Sequence, residues 1–415
     1  MVFNNLLFKK DVNLFTELIN IVLIVYAALL PFSSAFTVFT APYILLFLWI
    51  LEGNWRVKVK KIKSFKPLVF LIIFIIINII SLLWTEDFEN GFRNIKYYLA
   101  VLIPFLVIFT SLKEQFLKYI INIFLFGMFI SEIILYGNAF KWWHLGRGVY
   151  NDPSPFMHHS FYSIFLASTI FILIWQILNK KNILFFRVLE FIFLLSALAN
   201  LFLNAGRAGQ LAFIFAAFAF IIFYLGLKFK YIITVFIILL ALIFSAYNLS
   251  FVFKTRLNQA ISDIKKISDG KLHSSFGDRI ALKIVAFDLL KQNIFFGVGI
   301  GDDFKELKKF TKTKEVKKKY PFLIQKPHFH DQDLQILLQT GVLGFIPFIL
   351  FLGSFFKEFY KNNLAKATLF TVLLIYIITF FIDVNINAAY PSALFGFLLG
   401  ILSYAAKKDE VLNEQ

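Results

Sequence analysis

The chain has 415 residues, of which 59% are hydrophobic and only 16% charged, with 57 Phe and a formal net charge of +17. Its mean hydropathy of +0.76 is too high for a soluble core to absorb, which excludes an ordinary water-soluble globular domain. The absence of cysteine excludes disulfides, thiolate metal sites and a Cys nucleophile.

Spanning a hydrocarbon layer of roughly 30 Å takes about 20 mostly apolar helical residues. Twelve stretches of near that length follow one another: 14–33, 35–51, 67–84, 95–112, 117–137, 157–178, 183–203, 209–227, 231–249, 331–356, 367–384 and 391–406. Helix is required because lipid offers no partner for backbone N–H and C=O groups, and the runs are too continuously apolar for barrel strands. The expected fold is therefore all-α, a polytopic membrane bundle of about twelve transmembrane helices. Residues 1–249 hold spans one to nine and 250–327 form one large external loop with amphipathic helices. Residues 328–406 hold the last three spans, and 407–415 form a tail.

Lys9 and Lys10 precede the first apolar run without a small-residue cleavage site, so that run reads as a retained span. Loop 52–66 carries Arg56, Lys58, Lys60, Lys61, Lys63 and Lys66, whereas the next connection carries Glu86, Asp87 and Glu89. The alternation persists: Lys113 and Lys118, Lys180 and Lys181, Lys228 and Lys230, Lys357 and Lys361, and Lys407 and Lys408 all fall on the side of loop 52–66. Basic residues in short loops stay cytoplasmic, which places both termini in the cytoplasm. The segments around Arg147, Arg207, Asp383 and the whole of 250–327 then lie on the opposite side.

His158 and His159 open the sixth span. Adjacent histidines on a helix point in different directions, which argues against a shared metal, so no metal site is expected there. Arg207 stands in Asn204-Ala205-Gly206-Arg207-Ala208-Gly209, between the seventh and eighth spans. A guanidinium this close to hydrocarbon either snorkels to the interface or meets an anion, and the small neighbours favour the anion by leaving room for it. The planar guanidinium fork suits phosphate.

Loop 250–327 holds 17 Lys+Arg against 8 Asp+Glu. The cluster Lys308–Lys319 reads first as a solvated face and second as an attractor of polyanions. Arg279 to Lys291 reads as a helix with Ile280, Ile284 and Phe287 on one side, suited to lie on the membrane surface. Gly297, Gly299 and Gly301 break the chain into turns, and without a preceding strand they are no dinucleotide fingerprint. His330 and Asp331 then open a long apolar segment carrying Gly341 and Gly344. An imidazole takes up a proton near neutral pH and suits general-base work on a hydroxyl, although a lone interfacial His is more often structural. His328 competes for the same role.

These residues resemble the O-antigen ligase and polymerase family of bacterial envelope glycosyltransferases, which has twelve spans, cytoplasmic termini and one large external loop late in the chain. The family pattern His-[Asn/Ser/Gln]-(nine residues)-Gly-x-x-[Gly/Thr/Tyr] falls on His330, Gly341 and Gly344. Asp331 departs from it, and an extra carboxylate there is expected to raise the basicity of His330. The family's external arginine matches Arg207, and its arginine at the start of a loop helix followed by a glycine-rich turn matches Arg279 with Gly297 and Gly299.

The resemblance implies a GT-C-like, inverting transferase with no metal and no cofactor, multi-pass in the bacterial inner membrane with its site facing the periplasm. Arg207 and Arg279 would bind the diphosphate of an undecaprenyl-diphosphate-linked glycan, and His330 would be the catalytic base toward an acceptor hydroxyl. Lipid A-core is the expected acceptor. Polymerisation onto a second lipid-linked repeat, or transfer to protein Ser or Thr, are the alternatives within the family. The arginine-(ten residues)-glycine motif of some polymerases is not met, since positions 158, 218 and 290 are His, Phe and Leu. Apart from membrane lipid, no other partner is implied, and nucleic acid is not. A flippase of lipid-linked sugars is the rival from another class, kept open by the near-membrane carboxylates Glu132 and Asp383, although charges at the rims and not inside the spans weigh against it.

Overall fold

A computed structural model describes residues 13–149, 152–179, 184–226, 228–291, 293–325, 329–357 and 363–413. The chain is a polytopic helical membrane protein, and among the described residues it has no β-strand, only an isolated bridge between Val149 and Asp152. The helices are α1 (Leu14–Leu29), α2 (Ser34–Phe39), α3 (Ala41–Leu51), α4 (Trp55–Ser64), α5 (Lys66–Ile80), α6 (Phe88–Ser111), α7 (Glu114–Ala139), α8 (His159–Leu178) and α9 (Leu184–Leu203). They continue with α10 (Arg207–Leu225), α11 (Phe229–Leu249), α12 (Phe251–Ser268), α13 (Ser275–Leu290), α14 (Asp303–Thr311), α15 (Lys314–Lys319), α16 (Gln332–Lys357), α17 (Leu364–Phe380) and α18 (Ala389–Asn413).

Each of the twelve expected spans is helical. Ten apolar segments are long enough to cross a membrane, and two, Leu14–Leu29 and Leu364–Phe380, are shorter. The second span is broken at Thr40, where Pro42 follows as one of the first residues of α3; Pro lacks the N–H that would continue the helix from below. In α17 nearly every residue is buried, so its length is set by protein neighbours and not by lipid. By contrast α11 lies at the edge, with only 6% of its apolar window covered. The principal packings are α6 on α18, α5 on α16, α10 on α17 and α8 on α9.

Two elements depart from the expected loops. Residues 52–66 include α4, in which Lys58 turns inward onto Glu52 (2.8 Å) between the rings of Trp49 and Trp55. In the large loop, α12 precedes the expected helix. That helix, α13, leaves Ile284 and Phe287 exposed and buries its opposite side, Ala281, Leu282, Val285, Ala286 and Leu289, against Leu307, Phe329 and Leu338 in a second core. A stripe of small and branched residues buries more completely than the bulkier neighbouring one, because it lets α13 approach α16 closely.

The ends of the bundle are chemically distinct. At one, Lys113 meets Glu17 (2.5 Å), Lys61 donates to Thr110 O (2.7 Å) and Lys408 pairs with Glu114. At the other, the turn before α6 is held by Asp302, whose carboxylate accepts from the backbone N–H groups of Glu86 (2.7 Å) and Asp87 (2.8 Å). The elements of the large loop therefore gather at the end away from the lysine-rich connections.

Candidate active site

The site begins with a break in α16. Gly341 has φ +61° and ψ −161°, which interrupts the helical ladder and releases backbone groups where little water is available to satisfy them. The glycine-rich turn meets them. Val298 N donates to Leu338 O (2.7 Å) and Gly299 N to Gln339 O (3.0 Å), while Val342 N donates to Ile294 O (2.9 Å) and Leu343 N to Phe295 O (3.3 Å). A Cβ at Gly297 would lie 2.5 Å from Leu338 O, and one at Gly341 would lie 2.3 Å from Phe295 O. Gly297, Gly299 and Gly341 are thus the two halves of one backbone splice, which fixes the first turns of α16 against the loop.

His330 stands just before α16 at φ +53°, a region that non-glycine residues seldom occupy. Its Nδ1 lies 3.3 Å from Asp383 Oδ1, with the imidazole about one-quarter exposed. Asp331 does not assist it, contrary to the expectation from sequence. Its Oδ1 accepts from Leu334 N (2.9 Å), capping α16, and its Oδ2 meets Lys283 Nζ (2.6 Å). A buried carboxylate at a helix start is drawn to the exposed N–H groups and to the nearest cation; the carboxylate on the imidazole comes instead from the turn after α17. His328 lies outside the described residues.

Arg207 and Arg279 converge on a shared hydroxyl: Arg207 Nη2 donates to Ser275 Oγ (3.0 Å), and Arg279 Nη1 reaches Ser275 O (3.1 Å) and Ser275 Oγ (3.5 Å). Both half-buried guanidiniums line a cavity of about 440 Å³ with Arg256 and with the apolar side chains of Leu211, Ile214 and Phe253. The room for it does not come from the glycines beside Arg207. Gly206 and Gly209 are filled by α8, where added Cβ atoms would fall 2.3 Å from His159 O and 2.4 Å from Ser163, and Gly209 N donates to Ser163 Oγ (3.1 Å). Small residues here serve close helix packing.

His330 lines a second cavity, of about 780 Å³, with His158, Arg93, Asp303, Gln335, Asp383 and Asn387 among its walls. The structure thus brings the arginine pair together and sets the histidine next door. The partition is residues 381–383, held by α13: Lys283 Nζ donates to Phe381 O (3.2 Å) and Arg279 Nε to Ile382 O (3.0 Å). One residue further, Asp383 faces His330. Arg207 and Arg279 thus line one cavity and His330 another, with one short turn between them.

His158 and His159 do not diverge as expected. His158 is the extended N-cap of α8, not a helical residue, and the two rings lie 3.9 Å apart. His159 Nδ1 lies 2.8 Å from Asp152 Oδ2, while His158 Nδ1 accepts from Ser160 N (3.3 Å). Burial, followed by the neighbouring His159, pushes the His158 imidazole down to about 4. It is therefore neutral at physiological pH with its proton on Nε2. Asp303, at the start of α14, is buried and pushed up to about 7 by that burial. Glu132 lies in α7, buried, with Oε2 accepting from Ser196 Oγ (2.8 Å). The lysines of residues 308–319 are exposed, as a solvated face requires.

Arg256, Ser275, Gln335 and Asn387 were not singled out in the sequence. None carries a local pattern; Ser275, for example, gains its place by meeting Arg207, 68 residues away, as well as Arg279 on its own helix. Residues 191–349 match the family model described as O-antigen ligase, a stretch running from α9 through the large loop and across the break in α16. No curated protein matches the chain. The match bears out the resemblance to the O-antigen ligase family. It supports an enzyme of the ligase and polymerase kind, with lipid-linked glycan and acceptor as its general substrates.

Proposed function

We propose, with the O-antigen ligase domain of residues 191–349 as the premise, that the chain moves a glycan from undecaprenyl diphosphate to an acceptor hydroxyl without a metal. The reaction takes place at the loop end of the bundle, on the periplasmic side of the bacterial inner membrane. The reading rests above all on the turn at residues 381–383. Arg279 grips Ile382 O from one cavity, and Asp383 meets His330 from the other, so a donor whose leaving group and sugar are one bond apart can reach across a single turn.

The arginine cavity has the two properties that a polyprenyl diphosphate needs. Its apolar walls along α10 and α11 suit the prenyl chain, and its three guanidiniums suit the diphosphate. Fixed cations beside a leaving group stabilise the charge that develops on it and are usually the largest catalytic contribution; this is the role that a metal fills in other transferases. Across the turn, a carboxylate on Nδ1 holds the imidazole in the tautomer whose Nε2 is unprotonated. The acceptor oxygen then attacks the anomeric carbon from the face opposite the diphosphate and loses its proton to Nε2. The bond between that carbon and the phosphate oxygen breaks, its electron pair leaves with the diphosphate, and the configuration inverts. Lipid A-core is the acceptor this reading favours.

The test uses purified protein with a carrier-linked glycan and an acceptor. Release of undecaprenyl diphosphate with glycan on the acceptor is expected, and His330→Ala should lower the rate by about 10²–10⁴-fold while donor binding persists. Full activity in His330→Ala would remove the base from the scheme, and unchanged donor crossing a liposome would point to a flippase.

A further inference from the structure

The lysine-rich end of the bundle holds a cavity that the transfer scheme does not use. It measures about 650 Å³ and lies where α7, the end of α8 and α18 meet, with Lys113, Lys118 and Lys408 in its wall against one carboxylate, Glu114. Lys408 pairs with Glu114 and Lys113 with Glu17; an ammonium has three donors, so each pairing leaves hydrogen-bonding capacity on the nitrogen. Gln176 and Asn179 line the same cavity, as does Trp175, a residue type that collects at the boundary between lipid and water. Lys118 also stands in the wall of a second cavity, of about 520 Å³, between α7 and α9. Its floor is formed by Leu125 and Leu173, both buried, and its more exposed sides by Phe126, Phe129 and Leu189. The two cavities are joined where Gln176 Nε2, in the first, donates to Asn122 Oδ1, in the second (3.4 Å).

The geometry points to a binding site for an anionic glycerophospholipid of the cytoplasmic leaflet, with its phosphate among Lys113, Lys118 and Lys408 and one acyl chain in the groove between α7 and α9. Charge decides the headgroup. Three ammonium groups against one carboxylate leave the first cavity with an excess of positive charge, and basic side chains at a membrane surface attract anionic lipid. In the second cavity Lys118 and Glu190 offset each other and, apart from Asn122, the rest of the lining is apolar. Length decides the tail. Lys118, Asn122, Leu125 and Phe129 follow one another at helical spacing on one face of α7. The rise from Lys118 to Phe129 is about 16 Å at 1.5 Å per residue, close to the roughly 15 Å of hydrocarbon that one leaflet supplies. A free phosphate would satisfy the lysines but make no use of the groove. The lipid also gives α9, whose apolar window is only 17% buried, a second apolar neighbour beside α8.

This site lies at the end of the bundle away from the arginine and histidine cavities and stands whether or not the transferase reading does. Native mass spectrometry of the full chain released from detergent tests it, with dipalmitoyl phosphatidylglycerol, dipalmitoyl phosphatidylcholine and glycerol 3-phosphate as probes. Phosphatidylglycerol should bind about tenfold more tightly than phosphatidylcholine, and glycerol 3-phosphate should not be retained. Lys118→Ala, at an exposed position, should weaken phosphatidylglycerol by about fivefold, with Lys408→Ala as the second variant should the first not purify as a monodisperse protein. A phosphatidylglycerol with a photoreactive group at the end of one chain should cross-link to residues 125–129 of α7 or 189–193 of α9. Equal binding of the two lipids, unchanged affinity in a folded variant, or cross-links confined to other helices overturns the inference. Glycerol 3-phosphate bound as tightly as the lipid would overturn it too, leaving a phosphate site without a lipid.

Discussion

His330 occupies a left-handed backbone conformation that the surrounding splice and the cap at Asp331 hold in place, and the carboxylate on its ring arrives from 53 residues away. Asp383→Asn keeps the shape of that partner but weakens the tautomer preference. It should lower kcat by about 10²–10⁴-fold with little change in KM for the donor, measured in the same transfer assay; an unchanged kcat would make Asp383 structural. Asp303 gives a prediction of the opposite kind. In the folded chain its carboxyl holds its proton up to about pH 7, whereas the unfolded chain releases it near the ordinary value of 3.8, so this group costs stability progressively as pH rises across that window. Asp303→Asn should therefore raise the melting temperature more at pH 8 than at pH 5. Local pattern singled out Arg207, beside Gly206 at a span boundary, and His330, at the head of a span, whereas Arg279 was singled out only through its likeness to the family's loop-helix arginine. Asp383 as the partner of His330, Arg256 beside the arginine pair, and the diversion of Asp331 to Lys283 were not legible, because which carboxylate meets which cation depends on contacts that only the folded bundle makes.

The decisive element is α16. Its long apolar run, read as one span, is two helical segments joined at Gly341 and mended by residues 294–299, and this join fixes the line of residues that faces the histidine cavity. Gly341→Ala meets both a positive φ and a backbone oxygen at 2.3 Å. It should destabilise the protein by about 2–4 kcal/mol, read as a lower melting temperature or a loss of monodisperse protein, and a variant that unfolds like the parent would show that the splice tolerates a side chain. The spans themselves were legible because lipid imposes length and hydrophobicity on every one of them. The helices α4 and α12 were not, since they are short of apolar residues and owe their form to packing at the two ends. For α13 the helix was readable, but the core it builds with its other side against Leu307, Phe329 and Leu338 was not, because those partners come from separate segments of the loop and from α16.

At the scale of the whole molecule, the lysine pattern and the contacts separate the same two ends, and they do so independently: one by residue count in the loops, the other by which loops touch. With no native cysteine, single replacements report sidedness cleanly. His273→Cys, in the large loop, should react with an impermeant maleimide in intact cells, and Lys60→Cys should react only after permeabilisation; the reverse would invert the bundle. The central claim is that one lipid-linked donor lies across the turn at residues 381–383, with its diphosphate in the arginine cavity and its sugar directed toward His330. An electron cryo-microscopy structure of the full chain with a non-transferable carrier-diphosphate glycan tests this most directly. The account predicts diphosphate density against Arg207 and Arg279 and the first sugar beside the His330–Asp383 pair; a diphosphate at the lysine-rich end, or a sugar leading away from His330, would contradict it.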